Sequence, residues 1–167
     1  MNAFVIDAFE FCRVKDHREG ELKVAELPRL AEESVDQAGS VRWVLGGGSN
    51  KYGHPQLSLI VSGSVRLMCQ RCLTPFDYAV DSESVLILAP DEGSADEIDA
   101  LLADEDVEVI VGSRAFDIRQ LIEDDALLTI PLSPKHDACP DQLVQDQEPA
   151  KDAEKVSPFA VLKNLKQ

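Results

Sequence analysis

The stretch Leu57-Ser58-Leu59-Ile60-Val61-Ser62-Gly63-Ser64-Val65-Arg66-Leu67-Met68-Cys69 decides the fold. Leu57, Leu59, Val61, Val65, Leu67 and Cys69 hold odd positions, while Ser58, Ser62, Ser64 and Arg66 hold even ones. Successive strand side chains point to opposite faces, so this period of two predicts a long strand with one face in a core and the other toward water. Gly63 in its middle marks an expected bend or bulge. Upstream, Val41, Trp43 and Leu45 keep the same parity. Downstream, Phe76, Tyr78 and Val80 open a run that continues into the apolar residues 85–89. Three consecutive strands predict an antiparallel meander. A helical turn after Glu26, carried by Leu27, Leu30 and Ala31, and helices later in the chain make the expected class α+β: a curved antiparallel sheet with a few packed helices.

Between the first two strands lies Gly46-Gly47-Gly48, followed by Ser49-Asn50-Lys51. The spacing of a nucleotide loop is missing and no helix opens behind it, so the glycines are expected to form the hairpin connection. Farther on, Asp117 can cap a helix with Gln120 closing a capping box, and Ile118, Leu121, Ile122 and Leu128 follow one face. Asp125 falls near that face and is expected to stay at the surface, as carboxylates usually do. Residues 1–140 are thus expected to form a single domain. The polar, acidic residues 141–155 have a linker composition. Ser157 and Pro158 read as the cap and first position of a C-terminal helix over 156–167.

The chain has 167 residues, with 16 Lys plus Arg against 31 Asp plus Glu and a formal net charge of −15. Residues 91–108 alone hold nine acids and no base, with Ile98, Leu101 and Leu102 at helical spacing. Non-specific nucleic-acid affinity comes from Lys and Arg displacing phosphate counterions, so this acid excess excludes the commonest kind of nucleic-acid binder. No stretch approaches the ~20 apolar residues of a membrane span, and the N-terminus lacks a signal-peptide pattern; a cytoplasmic location is expected.

Four cysteines in a chain of this length are too few for a secreted disulfide scaffold and are better read as free thiols or metal ligands. Cys69-Gln70-Arg71-Cys72 and His136-Asp137-Ala138-Cys139 are two pairs of soft ligands, each separated by two residues. Brought together, Cys69, Cys72, His136 and Cys139 make a Cys₃His zinc site, zinc being the one cofactor suggested. Nothing in the sequence requires the two segments to meet, so free thiols remain an alternative. A redox role would need the first thiol at a helix N-terminus, whereas this motif lies between strands. Cys12 reads as a small buried hydrophobe, and His17 and His54 as ordinary loop residues. No nucleophile elbow or Ser-His-Asp order is visible, so the protein is expected not to be an enzyme. The alternative is a zinc- or thiol-dependent enzyme built on the two ligand pairs.

The order of these motifs resembles the bacterial YceD family, the large ribosomal RNA subunit accumulation proteins. The resemblance rests on the alternating strand ending in Cys69-Gln70-Arg71-Cys72, then Phe76, the helix opening at Asp117-Ile118, then Pro131, Pro134, His136, Cys139 and the terminal Pro158-Phe159-Ala160-Val161-Leu162. It covers about residues 55–167. It implies a non-catalytic role in the synthesis, processing or stability of 23S ribosomal RNA, and so in building the large subunit. The acidity then points to the large-subunit precursor or a basic ribosomal or assembly protein as partner, steered by the acidic segment 91–108. Phe159, Val161, Leu162 and Leu165 are the expected apolar anchor for that partner. Direct RNA contact through Arg66, Arg71, Lys51 and Tyr52, gathered near one end of the sheet, is the competing expectation.

Overall fold

A computed structural model describes residues 3–140. The chain divides into two compact units, Met1–Asp137 and Ala138–Gln167. The first begins with β1 (Val5–Ile6), α1 (Ala8–Arg13), β2 (His17–Lys23), a 3-10 turn at Val24–Glu26 and α2 (Pro28–Glu33). The meander follows as β3 (Ser40–Ser49), β4 (Pro55–Met68) and β5 (Pro75–Ala89). Then come α3 (Glu92–Leu101), β6 (Glu108–Val111), β7 (Phe116–Asp117) and α4 (Ile118–Thr129). The expected linker over 141–155 and terminal helix over 156–167 lie outside the described residues.

The class is α+β. A five-stranded sheet runs in the order β2-β3-β4-β5-β6, antiparallel except for its last pair, and β1 pairs separately with β7. The period-two reading holds along its whole length: Val41, Trp43, Leu45, Leu57, Leu59, Val61, Val65 and Leu67 are all buried, while Ser58, Ile60, Ser64 and Arg66 are exposed. Phe11 and Cys12 of α1, Leu30 of α2 and Ile118, Ile122 and Ala126 of α4 join those strand residues in one apolar cluster. Removing each such leucine, isoleucine, valine or phenylalanine side chain from water is worth about 1.5–3 kcal/mol, which is why α1, α2 and α4 gather on the sheet's inward face.

Residues 85–89 break the alternation for a reason. Leu86 and Leu88 enter the main cluster, whereas Ile87 and Ala89 are buried outside it, where α3 packs on β5 and β6. A strand covered on both faces reads as a continuous apolar run. The helix α3 is also the crossover that lets β6 lie parallel to β5.

Three local expectations are corrected. Gly63 pairs in continuous register with Val41 and Val80, so no bulge inserts an extra residue. A Cβ there would lie 2.3 Å from the Ser40 carbonyl oxygen, so glycine is needed for close backbone approach. The glycines 46–48 sit inside β3, and the hairpin turn falls at residues 50–54, where Asn50 N and His54 O are 3.0 Å apart. Gly47 is required because a Cβ would come within 2.5 Å of the Phe11 carbonyl oxygen. The Asp117 cap is present, its carboxylate accepting from the N–H of Arg119 and Gln120, but Leu128 is exposed and Asp125 is buried.

A carboxylate from α4 holds α2 in place. The cap position of α2 is Leu27, which has no side-chain acceptor, and Glu123 accepts from Arg29 N at 3.0 Å and from Arg29 Nε at 2.7 Å instead. Leu30 N also points at it, 3.4 Å away. The otherwise open helix start thereby finds an anion, as helix N-termini require.

Gly63→Ala is expected to lower stability by about 1–3 kcal/mol, the usual cost of forcing atoms into a filled site. Urea unfolding checks this, and a wild-type midpoint for the variant would refute the close-approach explanation.

Candidate metal centre

The core alternation of β4 continues one step past the strand, so Cys69 is buried like Leu67 before it. The chain then turns sharply: Leu73 N donates to Cys69 O at 2.9 Å, and Cys69 N donates to Thr74 O at 3.0 Å. Leu73 takes the left-handed conformation at φ 58 that this turn demands. Cys72 thus comes back beside Cys69 before β5 begins.

The second ligand pair reaches the turn through the backbone. After α4 ends, Gln70 N donates to Pro134 O at 2.8 Å, which lays the following residues against the β4–β5 turn. His136 N then donates to Cys69 Sγ at 3.4 Å, and His136 Nδ1 lies 3.3 Å from Cys72 Sγ. The imidazole packs at a tilt on Phe76, with ring centroids 4.8 Å apart. Cys139 follows His136 by three residues and is buried. The ligand atoms of Cys69, Cys72, His136 and Cys139 lie within 4.8 Å of one another.

The electrostatics favour anionic sulfur. Burial raises the Cys69 thiol, but hydrogen bonds from the backbone of Cys72, His136 and Arg71 and from the His136 side chain outweigh it and bring the group down to about 5. Arg71 N lies 3.4 Å from the same sulfur. Cys12 is pushed the other way by its burial, which fits its reading as a packed hydrophobe. Three thiols and one imidazole, with backbone N–H groups already aimed at one sulfur, are a donor set that suits a zinc ion. With all four held by protein, such a centre would tie the β4–β5 turn to the segment after α4.

The remaining sequence candidates are spread out. Lys51 and Tyr52 stand in the β3–β4 turn, whereas Arg66 lies near the other end of the long strand β4, about 36 Å from its start at ~3.3 Å per residue, and Arg71 stands in the turn beyond that end. They do not share one end of the sheet. Lys51 pairs with Glu105 at 2.5 Å, and Arg66 approaches Asp36 at 3.8 Å. Phe159, Val161, Leu162 and Leu165 lie outside the described residues. Sequence reasoning missed Glu123, whose partners Arg29 and Leu30 are more than ninety residues distant along the chain. It also placed Asp125 at the surface, although its neighbours Ile122 and Ala126 on the buried stripe of α4 carried the signal for burial.

Comparison with known proteins bears on this chain over most of its length. Residues 57–166 match the model of the family described as large ribosomal RNA subunit accumulation protein YceD. A protein of Haemophilus influenzae named large ribosomal RNA subunit accumulation protein YceD is 28% identical over 151 residues, covering 85% of this chain and 83% of that protein. No solved structure matches.

Purified protein is expected to carry one zinc per chain by elemental analysis, and Cys69→Ser is expected to lower metal content and melting temperature together. Metal-free protein with an unchanged melting temperature would rule out a stabilising ion.

Proposed function

The chain belongs to the YceD family, the large ribosomal RNA subunit accumulation proteins, and from that membership we propose that it supports the synthesis, processing or stability of 23S ribosomal RNA as a non-catalytic factor. The family match over residues 57–166 carries this reading. On this proposal the protein works in the cytoplasm, on the precursor of the large subunit.

The partner we propose is a basic ribosomal or assembly protein. A formal charge of −15 repels phosphate and attracts Lys- and Arg-rich surfaces. The acidic residues of α3 and its flanks act as the steering field. Phe159, Val161, Leu162 and Leu165 supply an apolar anchor beyond it. Direct RNA contact is the weaker reading, because Lys51 and Arg66 each already face a carboxylate and stand at opposite ends of β4.

The metal we propose is zinc, held by Cys69, Cys72, His136 and Cys139. Four protein donors fill its usual shell and leave no position for substrate water, which favours a structural ion over the zinc-dependent enzyme alternative. The protein's contribution to the ribosome is then its shape and charge.

Cells lacking this protein are expected to show a lowered ratio of 23S to 16S ribosomal RNA and a deficit of large subunits on sucrose gradients, both restored when the gene is returned. An unchanged ratio and profile would reject the proposed role.

A further inference from the structure

Between the β5–β6 edge of the sheet and α4 runs a groove of about 420 Å³. Leu86, Ile110, Phe116 and Leu121 supply its apolar surface, and Leu128, 79% exposed, stands on its wall. Leu128 lies on a helix whose buried stripe is already satisfied elsewhere, so an exposed leucine here extends the groove rather than the core. Every charged residue lining the groove is acidic: Glu108, Asp117, Asp124 and Asp125.

These carboxylates are not equivalent. Asp117 caps α4, and Asp124 pairs with Arg29 at 2.6 Å. Asp125 is only 8% exposed and accepts from Ser84 Oγ at 2.6 Å through Oδ1, while its Oδ2 is buried with no hydrogen-bond partner among the described residues. A buried carboxylate oxygen is costly until a donor reaches it, and a cationic donor suits it best. No lysine or arginine among the lining residues is there to do so.

We propose that this groove receives a basic, apolar segment of a protein partner, its leucine-like side chains on the apolar surface and one Lys or Arg on Asp125. The proposal rests on the basic-partner reading above and assigns that partner a surface. The occupant follows from complementarity: an acidic wall repels nucleic acid and repels a second copy of this strongly negative chain. A hydrated cation would gain nothing from the apolar surface.

The test is titration of the ¹⁵N-labelled full chain with a short leucine–lysine peptide, an oligolysine of equal charge and a single-stranded RNA oligonucleotide, followed by amide chemical shifts. The leucine–lysine peptide is expected to shift amides of β6 and α4 and to bind roughly tenfold or more tighter than oligolysine. Asp125→Asn and Leu128→Ser are each expected to weaken it by roughly tenfold, the scale of one lost charged hydrogen bond or one buried leucine. Leu128 is exposed, so its replacement leaves the fold intact and keeps the test decisive even where Asp125→Asn unfolds the chain. Peptide affinity untouched by Leu128→Ser, shifts centred on α3, or equal shifts with RNA would each overturn the proposal. In cells, 23S loss that both groove variants fully rescue would refute the groove while the ribosomal role stands. No 23S loss, with the peptide still bound in the groove, would refute the role and spare the groove.

Discussion

Leu57, Leu59, Val61, Val65 and Leu67 leave water together because a strand sends alternate side chains to one face, and that single constraint positions most of the molecule. It fixes the register with β3 and β5, since a slip of one residue would turn all five outward. It fixes where α1 and α4 pack, because their apolar stripes need that face. Carried one step beyond the strand, it also buries Cys69, so the first residue of the candidate metal centre is set by the same geometry as the core.

The parts of the fold legible in sequence are those governed by local period or spacing. The three strands of the meander, the Asp117 cap and the two ligand pairs all show within a dozen residues. The strand β2 does not, because it is a sheet edge with only Leu22 buried, and its charged residues look like a loop. Edge strands commonly carry charges that keep them from pairing with other chains. The convergence of the ligand pairs was not legible either: it depends on Gln70 N meeting Pro134 O, a contact between residues far apart in the chain.

Acidic residues do three different jobs here, and only position separates them. Glu123 is buried and closes the N-terminus of α2. The carboxylates of α3 face solvent and set a long-range field. Asp125 is buried beside a groove with one oxygen satisfied and the other without a partner among the described residues, a state that structural carboxylates seldom keep. Composition reports the sum of these charges; the sheet and α4 decide which of them can meet a partner.

The convergence of Cys69, Cys72, His136 and Cys139 on one ion is tested most directly by X-ray absorption at the zinc edge of the purified full chain. Three sulfur neighbours at about 2.3 Å and one nitrogen at about 2.0 Å are expected. A shell of oxygen and nitrogen alone, or no bound zinc, would contradict it.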